Sequence, residues 1–374
     1  MKIAIDTFGC DHAKSGWGSY LFYFVKNIPA DSKFKHQYEL FGAEIDRYTY
    51  TSEVEKTYQS VDIKDDLKTE QRWHRHWVDS FTRKNDYDLV IYPAVEKVIP
   101  KRFSTPSIAV MNSILSVVKK NSSFKIRHQL QKGLENVQCI IAPSQYIKND
   151  LIANKIQAEK IHVIYNGIDH KLFFPLSNLD PEFVEIKPFA IKRPYFIYGS
   201  RLSGPEKKHI ELIRAFNLFK KETNSPIRLV LAGADGEWSE KIKKEAYESD
   251  FASDIFITGY FPHESFSKLY AGATACIFPA VNEGVGLPIL ESMACGIPVL
   301  CSNSGALPEV GADAPIYFNS DDINDIASKM KQIVEDKDLY TKKVDAGLKR
   351  ANHFNWDSTV INTISIAEEL FKKN

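Results

Sequence analysis

Glu283 and Glu291 stand eight positions apart in the run Pro279-Ala-Val-Asn-Glu-Gly-Val-Gly-Leu-Pro-Ile-Leu-Glu-Ser-Met-Ala-Cys-Gly-Ile-Pro298. A glycine turn and a helix start lie between them. Gly284 and Gly286 let the backbone bend where a side chain would obstruct a ligand. Pro288 suits the first position of a helix, which Ile289, Leu290, Met293 and Ala294 continue. The amides of Val285, Gly286 and Leu287 are therefore expected to point out of a helix N-terminus, where anions bind. Glu291, one turn inside, cannot bind a phosphate. Its carboxylate can accept hydrogen bonds from two vicinal hydroxyls, as a ribose offers. Glu283, in the loop before the glycines, would face whatever the diphosphate carries. The spacing describes a nucleotide-sugar site; the plain alternative is a strand–loop–helix with incidental acids.

The elements that must position these residues are strands feeding helices. Ala275-Cys-Ile-Phe-Pro279 reads as a buried strand ending in the Glu283 loop. Tyr195-Phe-Ile-Tyr-Gly-Ser-Arg201 reads as an earlier strand, followed by Lys207, Lys208 and the amphipathic helix from Ile210. Arg228–Gly233 and Ile255–Tyr260 supply two more. Near the start, Lys2–Asp6 is a short strand, and the stretch after it carries Gly16-Trp17-Gly18-Ser19 before an apolar helix from Leu21. A glycine pair opening a helix can bring backbone against phosphate or sugar, though alone it reads equally well as a plain loop. Strands alternate with helices in both halves, which argues for two α/β sheets. A length of 374 residues suits two domains better than one core.

On these residues the chain resembles the retaining glycosyltransferases of the two-domain GT-B type, in the large family 4. The hallmark is Glu-x7-Glu within Pro-x-x-x-Glu-Gly-x-Gly-Leu-Pro-x-x-Glu, here Glu283 to Glu291 with Val285 where an aromatic is more usual. The resemblance implies two Rossmann-like domains facing a central cleft. It implies that Arg201 and Lys207 clamp the donor diphosphate, with Lys208 competing for the second place. It further implies that the Tyr260 loop holds the base and that Gly16 and Gly18 border the donor sugar. Ile140–Ser144 and the helix after it, Val163–Asp169 and Phe354-Asn-Trp-Asp357 match further landmarks. The implied partition is residues 1–172 as the acceptor-side domain, 173–194 as a linker and 195–350 as the nucleotide-sugar domain. Residues 351–374 form a helix crossing back to the first domain. Two departures stand out: Ser19 replaces a frequent Arg, and Asn112-Ser113 replaces His-Asp near the reacting carbon. Asn cannot exchange a proton near neutral pH.

Composition excludes other classes. The charge balances at 48 basic and 48 acidic residues, so bulk electrostatics give no argument for nucleic acid. No segment approaches the ~18 apolar residues of a membrane span. The five cysteines read as reduced core residues of a cytoplasmic protein, and no Cys/His cluster has metal-ligand spacing. From Lys97 to Leu134 eight cations occur without an acid, interleaved with apolar residues. A solvated basic face is the default there, and peripheral contact with an anionic membrane the sharper alternative. Among the histidines, Arg72–Trp77 reads as a helix burying Trp73 and Trp77 with His and Arg opposite, and His12 and His128 have no assigned role. The expectation is a retaining, metal-independent transfer of a sugar from a nucleoside-diphosphate sugar to a glycan or lipid-linked acceptor. The rivals are a non-catalytic nucleotide-sugar-binding relative and a phosphorylase or epimerase of the same fold.

Overall fold

The computed structural model describes residues 1–29, 36–52 and 56–373. The chain divides into two compact units, Met1–Gly167 with Asn355–Asn374, and Ile168–Phe354. The first is built on seven parallel strands: β1 (Lys2–Asp6), β2 (Gln37–Gly42), β3 (Thr57–Ser60), β4 (Leu89–Tyr92), β5 (Ser107–Val110), β6 (Cys139–Ala142) and β7 (Ile161–Val163). They lie in the order β3-β2-β1-β4-β5-β6-β7. Alternation along the central strands feeds two cores. Ile3 and Ile5, Leu89 and Ile91, and Ile108 and Val110 fill one face. Ala4, Val90, Tyr92, Ala109 and Ile140 fill the other. Continuous apolar strands are what a parallel sheet covered on both faces requires.

The second unit opens with an antiparallel hairpin, β8 (Phe183–Ile186) and β9 (Phe189–Lys192). A six-stranded parallel sheet follows: β10 (Tyr195–Gly199), β11 (Arg228–Ala232), β12 (Ile255–Gly259), β13 (Ala275–Phe278), β14 (Val299–Ser302) and β15 (Ile316–Phe318). Its order is β12-β11-β10-β13-β14-β15. Renumbered from the first strand, that is the doubly wound 3-2-1-4-5-6 arrangement. Its topological switch lies between β10 and β13, the position at which open α/β sheets generally bind ligands. Arg201 and Lys207 follow β10, and Glu283 follows β13. Strand order alone thus brings the two motifs to one edge.

Two boundaries differ from expectation. The units meet at Gly167 and Ile168, not after residue 172. The stretch 173–194, read as a linker from its prolines, holds the hairpin. Val184, Ile186 and Ile191 alternate with exposed neighbours and are buried, so a period-two pattern outweighs the proline signal. The last helix, Trp356–Lys373, belongs with the first unit. Trp356 is buried there, stacked on Tyr23 at 5.5 Å and edge-on to Tyr20 at 5.6 Å. Thr359 Oγ1 donates to the Tyr165 carbonyl at 2.8 Å. The Arg72–Trp77 segment also departs: the helix ends at His76, so Trp73 is buried while Trp77 is exposed beneath the Arg72 guanidinium. His74, expected on the wet side, is fully buried.

Trp356→Ala is expected to destabilise the first unit by about 3–5 kcal/mol, the usual cost of emptying a large aromatic site. Thermal unfolding should show a lowered transition, with residues 355–374 losing protection from hydrogen exchange first.

Candidate functional site

In the second unit, Tyr198 anchors the loop after β10 by donating its buried hydroxyl to the Lys207 carbonyl at 2.8 Å. The Val281 amide donates to the Glu206 carbonyl at 2.9 Å, which ties this loop to the one after β13. Lys207 Nζ then lies 3.3 Å from Glu283 Oε2. Lys208 turns elsewhere, to Asp321 at 2.6 Å and Glu211 at 3.1 Å. The geometry therefore separates the two lysines that sequence left in competition. Lys208 also takes φ of +56°, a left-handed position that caps the helix His209–Thr223. His209 beneath it is buried, and desolvation, with a smaller push from the Lys207 ammonium, lowers its imidazole to about 4. The positive charge at this loop thus rests on the lysines and Arg201. The Arg201 side chain is exposed, its Nε donating to the Asp235 carbonyl at 3.1 Å.

Glu283 is held from a second side. Its carbonyl accepts from the Ala306 amide at 2.8 Å, and Ser304 Oγ donates to the Val281 carbonyl at 2.7 Å. A Cβ on Gly305 would lie 2.5 Å from the Glu283 carbonyl oxygen, so the β14 loop can approach this closely only as glycine. Gly286, with φ of +75°, is the left-handed N-cap of the helix Leu287–Ala294. Its amide donates to Glu283 Oε1 at 3.3 Å. Of the three amides expected to face an anion, this one is engaged internally by the acid three residues before it. Val285 and Leu287 flank it in the same turn.

Glu291 is buried, and its Oε1 lies 2.9 Å from Nε2 of His263. No sequence signal marked His263, because the partner is 28 residues away and on another element. Burial pulls the His263 imidazole down, but Glu291, Glu264 and Asp169 outweigh it and leave its pKa raised. Tyr260, just past β12, is exposed while Phe261 is buried. Thus Arg201, Lys207, Tyr260, Glu283, Gly286 and Glu291 all follow C-terminal ends of parallel strands in one sheet, with the Lys207–Glu283–Gly286 contacts at its switch point.

In the first unit Gly16 and Gly18 lie inside the helix Gly16–Lys26, not ahead of it. A Cβ on Gly16 would meet nothing within 4 Å, whereas one on Gly18 would lie 2.2 Å from the Cys10 carbonyl oxygen. Gly18 therefore serves close packing against the preceding loop, and Gly16 alone presents open backbone. That loop runs through Asp11, His12 and Ala13 at φ of +48°, +51° and +63°. Left-handed non-glycine residues cost about 1–2 kcal/mol each. Tyr50 offsets the strain by accepting from the Ala13 amide at 2.9 Å and donating to the Cys10 carbonyl at 3.1 Å. His12 Nδ1 adds a contact to Asp46 at 2.8 Å. Below it, Asp6 pairs with His74 Nε2 at 2.7 Å, and burial raises the Asp6 carboxyl against that pull. Glu70, which accepts from the Gly9 amide at 3.1 Å, is raised to about 7, chiefly by burial. Asn112 follows β5 in the same sheet. Its amide donates to buried Glu96 at 3.1 Å and its Oδ1 accepts from Asn166 at 3.2 Å. Its Nδ2 is buried without a bonded partner among the described residues.

Residues 180–350 match the family model described as Glycosyl transferases group 1, and residues 35–172 match Glycosyltransferase Family 4. The chain is 27% identical over 291 residues to the O-antigen chain mannosyltransferase B of Escherichia coli, covering 75% of this chain and 74% of that protein. It is 31% identical over 229 residues to the serotype-specific mannosyltransferase WbdA of Escherichia coli, covering 60% of this chain but 28% of WbdA. Its fold is similar to that of sucrose-phosphate synthase from Thermosynechococcus elongatus, with a TM-score of 0.76 at 19% identity over the whole of both chains. Anabaena HepE, solved in complex with UDP and glucose, gives 0.74 at 16% identity over 98% and 99% of the two chains. With two parallel-sheet units, the Glu283–Glu291 run at a switch point and a family match to each half, the chain belongs to the family 4, group 1 glycosyltransferases of the GT-B fold.

Proposed function

We propose that the protein transfers a hexose, with retention of anomeric configuration, from a nucleoside-diphosphate sugar to a glycan or lipid-linked acceptor. The observation that carries this is the convergence of Lys207, Glu283 and the Gly286 turn at the switch point, one helical turn from buried Glu291. In this reading Glu291 accepts the ribose hydroxyls, and Tyr260 lies beside the base. Arg201 and Lys207 stabilise charge developing on the leaving diphosphate, so no bound metal is required. Glu283, already beside a cation, holds sugar hydroxyls and stabilises positive charge at the anomeric carbon. The bond from that carbon to the diphosphate oxygen breaks as the bond to the acceptor oxygen forms on the same face. The acceptor proton passes to the departing phosphate. Because no side chain must take that proton, Asn112 in place of a histidine is compatible with turnover, and it serves as a hydrogen-bonding residue on the acceptor side. The relatives named mannosyltransferases make mannose the sugar to test first.

The acceptor-side unit supports a membrane role through one feature. The helices Leu115–Lys120 and Phe124–Asn136 carry exposed Phe124, 79% accessible, among exposed Lys120, Lys125, Arg127 and His128. An apolar ring flanked by cations suits the interface of an anionic bilayer, where each cation contributes about 1 kcal/mol. The protein acts in this reading at the cytoplasmic face, on a lipid-linked acceptor.

Incubation with labelled GDP-mannose, then a panel of UDP-, dTDP- and ADP-sugars, should give product that keeps the donor's anomeric configuration and persists in EDTA. Inverted product, or donor binding without any transfer or hydrolysis across the panel, would falsify the assignment. Glu291→Ala and Arg201→Ala should weaken nucleotide binding by one to two decades, the loss of a charge-assisted contact worth about 1.5–3 kcal/mol. Glu283→Gln should instead lower turnover at least tenfold, about 1.4 kcal/mol of barrier, with little change in nucleotide affinity. Calorimetry and steady-state rates distinguish the two patterns.

In flotation with anionic vesicles the wild type should rise at low salt and be released at high salt. Replacement of Lys120, Lys125 and Arg127 by Gln should abolish flotation while leaving donor hydrolysis intact. A wild type that never floats makes the exposed face merely solvated.

A further inference from the structure

We propose that His263 is a positioning residue that orients Glu291 and so makes the protein discriminate ribonucleotides from deoxyribonucleotides. The inference rests on Glu291 taking the ribose, and it adds a second residue from another element.

Three observations carry it. First, His263 Nε2 is 2.9 Å from Glu291 Oε1, so one carboxylate oxygen is committed to the imidazole and the other is left for ligand. Second, the two side chains differ in access. Glu291 is 8% exposed and His263 43%, so the acid is buried while the imidazole reaches solvent. Third, the imidazole is itself held: the Phe173 ring meets it edge-on, at 5.2 Å between centroids. A free glutamate samples several rotamers and loses that freedom on binding a diol. Fixed by a clamped histidine, the carboxylate is preorganised, and part of that entropy loss is met in folding. His263 follows β12, the strand whose loop also carries Tyr260, whereas Glu291 belongs to the helix after β13. The pair therefore bridges the two loops that would enclose a nucleoside.

The charges facing His263 are Glu291 from the helix Leu287–Ala294, its neighbour Glu264, and Asp169 from the segment that opens the unit. Phe173 contributes an uncharged face. These acids outweigh burial and hold the imidazole above its ordinary value of 6.5. The cation therefore persists to higher pH than on an ordinary histidine and is lost as pH rises through the raised value. Above that range a neutral imidazole can still donate its N–H to the ionised carboxylate, but without the attraction of opposite charges.

The test is calorimetric binding of GDP and UDP, and of dGDP and dUDP, to wild type, Glu291→Ala, His263→Ala and His263→Gln, each checked for unchanged melting. Wild type should prefer the ribonucleotide of its better-bound pair by about tenfold or more, as expected for a charge-assisted contact to a hydroxyl. His263→Ala should pull this ratio most of the way toward that of Glu291→Ala. His263→Gln, which keeps an N–H donor, should restore part of it. In the wild type the ratio should fall as pH is raised from about 6 to about 9, and in His263→Ala it should stay flat across that range. If Glu291→Ala leaves the ratio at the wild-type value, or no nucleotide binds the wild type, the ribose assignment itself fails. If Glu291→Ala collapses the ratio and His263→Ala leaves it intact, only the role of His263 is overturned.

Discussion

The carbonyl of Glu283 is the point on which the site's geometry depends. It accepts from the Ala306 amide at 2.8 Å, and Gly305 lies too close beneath it for any side chain. That contact joins the loop after β13 to the loop after β14. The Val281–Glu206 bond joins the same loop to the one after β10. Three strand ends are thereby locked together, and the Lys207–Glu283 pair follows from the locking. Since the central strands are buried on both faces, the sheet cannot shift to accommodate a displaced loop without exposing core.

The charges at that edge are fixed in place by the fold. Lys207 and Glu283 are a partly buried pair of opposite sign, and His209 below them is kept neutral by burial, so the local charge is set by the groups nearer the surface. The same principle recurs in the first unit with different groups. Asp6, Glu70 and His74 form a buried polar network under the loop that precedes the helix Gly16–Lys26. Each member is bonded, which is the condition for burying charge without large loss. Three consecutive left-handed residues then persist because Tyr50 and Asp46 hold them.

Two unusual positions fall where neighbours can absorb them. Lys208 adopts a left-handed φ that glycine would take without strain, and its ammonium is drawn to Asp321 and Glu211. Asn112 is held after the end of β5 by bonds to Glu96 and Asn166.

Sequence by itself determined the fold class, because strand and helix periodicities and local glycine and proline chemistry are short-range properties. The Pro-Ala-Val-Asn-Glu-Gly-Val-Gly-Leu-Pro run specifies a turn and a helix start within a few residues. Contacts between elements were not. His263 meets Glu291 across 28 residues, His74 meets Asp6 across 68, and Lys207 meets Glu283 across 76. Strand order creates those meetings, and nothing in local spacing encodes strand order. The hairpin at 183–192 lies in a stretch whose prolines and sparse apolar periodicity suggest a linker, because its buried Val184 and Ile191 acquire meaning only against the rest of the second unit. Only the tertiary structure shows that Gly18 makes room for the Cys10 carbonyl, since what a missing side chain leaves space for depends on neighbours distant in sequence.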